Sequence, residues 1–299
     1  MNRTTGNILG ITALLMWSTV IGLMRSVTEA FGVAEGTALI YTLGALSICL
    51  KNGLPKIKQM PKAYLFGAGS VFIFYEILFS QAIGMASDAR QALEVGMLNY
   101  LWPCSIVVMS IWINKQKMGW LVWPGTGVAI IGLYWCIASG GDVTFSRLVA
   151  NFLSSPLPYI CGLLAALTWG VYCNLSARFS QGHNAIPVFF ILIAAALWVG
   201  FFLRGGKLTF PGVVPVIELV VVGLIFGISY SMWEKGMYHG NFMMLAMLSY
   251  FNPALSMFFA STWLGAPTPV GFWVGVGLII FGSFLCGLAR LRGNRAAMR

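Results

Sequence analysis

The sequence of 299 residues is 59% apolar and 9% charged, with a formal net charge of +10 at pH 7. Soluble domains carry about 25% charged residues, so this composition excludes an ordinary soluble globular protein and indicates a chain that lies largely in a membrane. The positive charge does not indicate nucleic-acid binding, because most Lys and Arg residues fall in loops on one side of the predicted membrane spans.

Apolar runs of about 20 residues predict helices that cross the hydrocarbon layer. The sequence contains ten such runs, which are the segments 6–24, 33–50, 63–85, 91–113, 119–138, 157–176, 185–203, 213–236, 242–263 and 268–289. Lipid satisfies no backbone polar group, and the alternation typical of membrane strands is absent. We therefore predict an all-α integral membrane protein with ten transmembrane helices.

The second half of the sequence repeats the first, and each half holds five predicted spans. Three segments return in the same order: 10–17 as 162–169, 97–103 as 247–253, and 125–132 as 275–282. An odd number of spans means that the second half enters the membrane from the opposite side. We predict two inverted five-helix repeats, at 1–140 and 155–290, which supply the two near-equivalent packings that a carrier needs.

The distribution of basic residues predicts the orientation of the chain. With the N-terminus inside, the outer segments hold only Arg25, Arg90, Arg147, Arg204 and Lys207. The positive-inside rule then predicts that both termini are cytoplasmic. Anionic membrane lipid is a predicted partner of the inner basic segments, and nucleic acid is not.

Two prolines occupy repeat-equivalent positions near the centres of the fourth and ninth spans. Pro103 and Pro253 each remove a helical hydrogen bond, which frees the carbonyl four residues earlier. One interpretation is a pair of kinks that shape the bundle. The other is a pair of hinges that line a central site, favoured by their polar and aromatic neighbours Asn99, Tyr100, Trp102, Tyr250 and Asn252.

Glu76 is the one acidic residue that the sequence places deep inside a span. A carboxyl group at mid-membrane costs about 3 kcal/mol on insertion scales, so it usually faces a cavity or a partner. Glu76 can bind a substrate ammonium, cycle a proton, or serve as a protonated or hydrogen-bonded structural residue, and the sequence leaves these alternatives open. Glu94, by contrast, is predicted to form a surface pair with Arg90, four residues earlier.

Tryptophan and tyrosine residues recur in the central spans. Trp17 and Trp169 are repeat-equivalent and lie deeper than an interfacial belt would place them. Such rings usually form core, but the central spans also contain Tyr75, Tyr100, Tyr230 and Tyr250. Together these rings predict a cavity suited to a flat, zwitterionic solute. No Lys or Arg is predicted at mid-span, which argues against a phosphorylated substrate.

Small residues four apart allow helices to approach closely, and we interpret them as packing within a monomer or weak dimer. These pairs are Gly6/Gly10, Gly32/Gly36, Gly223/Gly227, Gly236/Gly240 and Gly271/Gly275. The six cysteines lie in or beside apolar spans, and no pair has metal-ligand spacing. The sequence therefore predicts neither a metal site nor a cofactor.

Other functional classes fit the sequence less well. An intramembrane enzyme would need a nucleophile or metal motif, and the only histidines, His183 and His239, are near span ends. A channel or lipid scramblase can also use inverted repeats, but it would need a continuous polar groove. An exporter of aromatic cationic drugs, or of another small metabolite, is the nearest alternative, because Glu76 among aromatic rings would suit a cation.

The five-plus-five repeat, the Trp17/Trp169 pair and the Tyr-x-x-Pro motif of spans four and nine resemble the EamA transporters of the drug/metabolite transporter superfamily. Within that family the segment 97–103 and the Tyr75-Glu76 pair are similar to the YddG-type aromatic amino-acid exporters. The resemblance implies a carrier in the bacterial inner membrane, with a basket of helices around a central cavity and peripheral fifth and tenth spans. It also implies substrate-binding roles for Trp17, Tyr75, Glu76, Tyr100, Trp102, Trp169, Tyr230, Tyr250 and Asn252.

Overall fold

A computed structural model describes residues 1–53, 57–115, 119–138, 152–181, 183–249, 251–266 and 268–297. Helices account for most of these residues, and no strand occurs among them. A helix pairs its backbone polar groups within one segment, which is what a hydrocarbon environment requires. The prediction of an all-helical integral membrane protein is confirmed.

The helices follow one another with short connections. Those of the first half are α1 (Arg3–Trp17), α2 (Val20–Phe31), α3 (Val33–Asn52), α4 (Gly69–Gly84), α5 (Ala89–Asn99), α6 (Trp102–Ile113) and α7 (Val122–Ala138). Those of the second half are α8 (Pro156–Phe179), α9 (Ile186–Leu203), α10 (Val213–His239), α11 (Phe242–Ser249), α12 (Asn252–Trp263) and α13 (Val270–Ala297). A π-helical segment, Ala63–Ala68, continues into α4.

In the described part of the chain, seven helical segments are long and apolar enough to cross a membrane. They coincide with the predicted second, third, fourth, sixth, seventh, eighth and tenth spans. The predicted first span is a bent pair, the predicted fifth is the shorter apolar helix Val122–Cys136, and the predicted ninth is the two short helices α11 and α12. The count of ten therefore stays a prediction, whereas a multi-pass membrane protein is established.

The first span differs from the single helix predicted at 6–24. Its two parts, α1 and α2, meet at an angle of 42°. The hydroxyls of Ser18 and Thr19 donate to the carbonyls of Leu15 and Met16, at 2.6 Å and 2.8 Å. Side chains that bond to these carbonyls compete with the regular helical ladder and bend it.

The fourth and ninth spans are interrupted where the sequence places its two central prolines. α5 ends at Asn99 and α12 begins at Asn252, so each proline stands in the first turn of the helix that follows the break. Proline lacks the N–H that a first turn leaves unused, which explains its position there. The predicted kinks within continuous helices are thus breaks between two shorter helices.

The two halves interlock, and the core lies between them. α8 packs against α4 and α6, α9 packs against α3, and α10 packs against α1 and α3. α12 contacts α2 and α5 in the same way. Helices from both halves therefore surround the centre of the bundle, while α7 and α13 pack extensively on each other.

Glycines allow the closest of these contacts, as their spacing predicted. A Cβ atom on Gly236 would lie 2.8 Å from Cα of Gly10, and one on Gly6 would lie 2.5 Å from the backbone nitrogen of Gly240. Gly132 and Gly275 bring α7 and α13 equally close. These glycines serve packing within the chain, as expected for pairs of small residues in membrane helices.

We expect Gly275→Ala to destabilise the protein and Gly277→Ala, on the same helix, to leave it unchanged. A Cβ on Gly275 would lie 2.6 Å from backbone atoms of Gly132 and Cys136, whereas nothing lies within 4 Å of one on Gly277. Forcing an extra carbon into such a contact costs about 1–3 kcal/mol. Thermal unfolding in detergent measures the difference, and equal unfolding temperatures for the two variants would contradict the packing of α7 on α13.

Candidate functional site

The centre of the bundle is filled by aromatic rings from both halves, which we call the central aromatic cluster. Neighbouring rings have centroid separations between 4.7 Å and 6.5 Å. The members are Trp17, Tyr41, Phe72, Tyr75, Trp169, Tyr172, Phe190, Phe226 and Tyr230. The rings meet at tilted and edge-on angles, which aromatic pairs prefer to a face-to-face sandwich.

Four residues predicted as substrate-binding are brought together in this cluster. The Trp169 ring lies 4.7 Å from Tyr75 and 6.2 Å from Tyr230. Trp17 approaches the same Tyr230 ring at 5.1 Å. The two repeat-equivalent tryptophans therefore converge on one tyrosine, which places the contact between the halves at the centre of the cluster.

Glu76 is fully buried and hydrogen-bonded at both carboxylate oxygens. The Tyr41 hydroxyl donates to Oε2 at 2.7 Å, and the Tyr230 hydroxyl donates to Oε1 at 2.5 Å. The donors come from α3 and α10, so this acid links the two halves. Both oxygens are occupied by neutral donors in this conformation. No group of three or more His, Cys, Asp or Glu side chains within the described ranges is arranged to hold a metal ion.

Four buried polar atoms have no hydrogen-bond partner among the described residues. They are Trp17 Nε1, Asn99 Oδ1, Asn252 Oδ1 and Ser256 Oγ. A buried polar group without a partner costs about 1–3 kcal/mol, so each such atom calls for a functional explanation. Three of the four lie at or just after the breaks in the fourth and ninth spans.

The remaining predicted residues lie around these breaks. Tyr100 is buried, and its hydroxyl is beside Ser256 of the other half. Trp102 is half-buried at the start of α6, and no ring contact joins it to the cluster in the part of the chain that the structure describes. Asn252 and Pro253 are buried in the first turn of α12. Tyr250 and the side chain of Pro103 lie outside the described residues.

Sequence reasoning missed several rings of the cluster. Phe72 lies one helical turn before Glu76, and Tyr172 lies one turn after Trp169, so both share a helix face with a predicted residue. That spacing was a usable signal. Tyr41 and Phe190 carry no such signal, because they reach the site from α3 and α9 through tertiary packing alone.

Two charged residues that the sequence placed at the surface are buried. Arg25 donates to the carbonyls of Gly84 and Ala86, and it pairs with Glu29 at 2.7 Å. These bonds give partners to carbonyls at and just after the C-terminal end of α4. The prediction of a surface role for Glu94 is wrong, because Glu94 is 4% exposed and accepts a 2.6 Å hydrogen bond from Tyr159.

The chain is similar over nearly its whole length to bacterial exporters. It is 36% identical over 293 residues to the aromatic amino acid exporter YddG of Escherichia coli strain K12, across 98% of this chain and 100% of that protein. It is 31% identical over 270 residues to the exporter of the same name from Ancylobacter novellus, across 86% and 88% of the two chains.

Two further comparisons agree with this similarity. A protein of known crystal structure superposes with a TM-score of 0.68 at 24% identity, over 96% of this chain and 98% of that one, which supports the fold alone. The EamA-like transporter family matches residues 156–288. The identity to the YddG exporters over nearly the full chain shows that this protein belongs to the EamA-like transporter family, and it confirms the prediction of a transporter rather than an enzyme.

Proposed function

We propose that this protein is a secondary transporter that exports aromatic amino acids across the bacterial inner membrane by alternating access. The observation that carries the proposal is the central aromatic cluster, which both halves build at the middle of the bundle. Aromatic faces bind a planar ring by stacking and edge contacts. The names of the YddG relatives agree with this substrate class.

The proposed architecture is ten transmembrane helices in two inverted repeats, 1–140 and 155–290, with both termini cytoplasmic. In it, α1 with α2 forms the first span, and α11 with α12 forms the ninth. Pro103 and Pro253 act as hinges, since breaks at these two equivalent positions let each half-helix tilt separately. The repeats rock around the cluster, so that it opens to one face of the membrane at a time.

The site favours a zwitterion over a cationic drug. Both oxygens of Glu76 accept hydrogen bonds from tyrosines, so this carboxyl group holds two side chains of the cluster rather than standing alone as a counter-charge for a cation. We assign Glu76 a positioning role that holds Tyr41 and Tyr230 in the cluster. The substrate ring packs on tryptophans and tyrosines, and the proposed binding residues are Trp17, Tyr75, Tyr100, Trp102, Trp169, Tyr230, Tyr250 and Asn252.

Counterflow into liposomes tests this function directly. We expect labelled phenylalanine to enter vesicles that contain the purified protein much faster when excess unlabelled phenylalanine is inside. Internal solute accelerates uptake through a carrier, because the binding site returns to the outer face occupied. A channel shows no such acceleration. Vesicles without protein are the control, and alanine tests selectivity. Uptake of phenylalanine that ignores the internal solute, or no uptake, would contradict the proposal.

A further inference from the structure

Three oxygen atoms without partners lie where the broken spans of the two halves meet. We propose that Asn99, Asn252 and Ser256 form a subsite for the head group of the amino acid. In this subsite the Oδ1 atoms of the two asparagines accept hydrogen bonds from the ammonium, and the Ser256 hydroxyl donates to the carboxylate. The inference rests on the proposed function and deepens it by separating the head-group site from Glu76.

The first observation is that the side-chain oxygens of these three residues are buried and lack ordinary hydrogen bonds. Asn99 is 7% exposed, Asn252 is 4% exposed and Ser256 is fully buried. None of the three oxygens makes a hydrogen bond of regular geometry in the described ranges of the chain, and the one polar neighbour of Ser256 Oγ among them is the Tyr100 hydroxyl. Native structures leave few buried polar atoms unpaired, and those that remain unpaired are explained by a ligand, water or function.

The second observation is their placement on segments that face each other. Asn99 is the last residue of α5, and α5 packs against α12. Asn252 and Ser256 are one turn apart on α12, which puts them on one face of that helix. The Tyr100 hydroxyl beside Ser256 shows that this face is turned toward the break in the fourth span.

The third observation connects the three oxygens to the aromatic cluster. The Tyr75 hydroxyl lies beside Asn99, while the Tyr75 ring is 4.7 Å from the Trp169 ring. A phenylalanine molecule whose ring lies among these aromatic side chains therefore has its head group directed to the break between α5 and α6. This arrangement separates an apolar part of the site from a polar part.

The chemistry of these residues suits a zwitterion. The C-terminal end of α5, where Asn99 lies, carries partial negative charge and favours an ammonium. Amide oxygens accept from N–H donors, and a serine hydroxyl can donate to an anion. Broken helices of this kind bind charged groups of substrates at the centre of membrane carriers.

Competition by two phenylalanine analogues tests the assignment of each atom. Phenethylamine lacks the carboxylate, and 3-phenylpropionate lacks the ammonium. In phenylalanine counterflow we expect Asn99→Ala and Asn252→Ala to lower the apparent affinity for phenylalanine and for phenethylamine about tenfold. The apparent affinity for 3-phenylpropionate should stay unchanged. Ser256→Ala is expected to lower the apparent affinity for phenylalanine and 3-phenylpropionate by a similar factor and to leave that for phenethylamine unchanged.

Matched variants separate the subsite from general damage. Ser261→Ala on the same helix removes a hydroxyl that donates to the Phe258 carbonyl at 3.1 Å, and we expect it to leave the apparent affinity for all three ligands unchanged. Asn99→Asp keeps the Oδ1 acceptor and replaces the amide nitrogen by a second oxygen. We expect this variant to retain competition by phenethylamine, which covers the case in which Asn99→Ala does not fold. Equal shifts for all three ligands would overturn the subsite while leaving the transporter function intact. Absence of wild-type phenylalanine counterflow would overturn both.

Discussion

Replacement of Trp169 with alanine is expected to abolish phenylalanine counterflow while the protein remains folded and inserted. The Trp169 ring contacts Tyr75 at 4.7 Å, Tyr172 at 5.4 Å and Phe72 at 6.2 Å, so it joins rings from α4 and α8. Its removal takes away the largest face of the cluster and leaves the substrate ring without its main contact. We expect at least a hundredfold loss of initial rate, which corresponds to about 3 kcal/mol.

A tryptophan outside the cluster provides the matched control. Trp198 on α9 stacks on Phe202 and donates to Thr42 at 2.9 Å, so Trp198→Ala removes the same side-chain volume elsewhere. We expect it to lower stability and to preserve counterflow. Tyr100→Ala is expected to abolish export as Trp169→Ala does. Full transport by both site variants, with normal elution from a sizing column, would sink the assignment of the cluster as the substrate site.

The architecture was largely predictable because membrane helices are specified by segment length and composition. Seven apolar runs coincide with helical segments long enough to cross a membrane, and pairs such as Gly6/Gly10 and Gly236/Gly240 marked a real close contact between α1 and α10. The repeat also located both broken spans. The bend after Trp17 was missed, although the Ser18-Thr19 pair that causes it was visible in the sequence.

The site was predicted less completely, because helices that are apolar on every side give no periodic signal for which face points inward. The sequence therefore named Trp169 and Tyr230 but could not choose Tyr41 as a partner of Glu76. Glu94 shows the same limit. From the sequence, an acidic residue near the end of a span is expected to be exposed. The packing of α8 against α5 buries Glu94 and brings the Tyr159 hydroxyl within 2.6 Å of its carboxylate.

The contact between Glu76 and its two tyrosines explains how an acid can lie at the centre of an apolar bundle. Each carboxylate oxygen receives one phenol hydrogen bond, and the two donors come from different halves. A hydrogen bond contributes about 0.5–1.5 kcal/mol to a neutral carboxyl group and about 1.5–3 kcal/mol to an ionised one, which in either state offsets part of the desolvation penalty of burial. Glu76 therefore links the two halves of the chain and lies beside the proposed substrate site.

Glu76→Leu is expected to destabilise the protein strongly, and Glu76→Gln only slightly. Leucine removes the carboxyl acceptor of both the Tyr41 and the Tyr230 hydroxyl, and Tyr41 then has only its longer contact, 3.2 Å, to the backbone carbonyl of residue 76. A buried hydroxyl that loses its acceptor costs about 1–3 kcal/mol. Glutamine keeps one acceptor oxygen and supplies an N–H that a rotated tyrosine hydroxyl can accept. Thermal unfolding in detergent measures both changes. Adding Tyr41→Phe and Tyr230→Phe to Glu76→Leu should restore much of the stability, because it removes the two hydroxyls that lost their carboxyl acceptor.

Transport by Glu76→Gln decides whether this acid does more than hold the tyrosines. If the head group is bound at Asn99, Asn252 and Ser256, a neutral glutamine leaves phenylalanine counterflow and its competition by phenethylamine close to wild type. A stable Glu76→Gln protein that loses affinity for phenylalanine and phenethylamine, but not for 3-phenylpropionate, would instead place the ammonium on Glu76. Normal affinity with a lost rate would indicate that the carboxyl group takes part in the conformational cycle, since binding and turnover would then be separated.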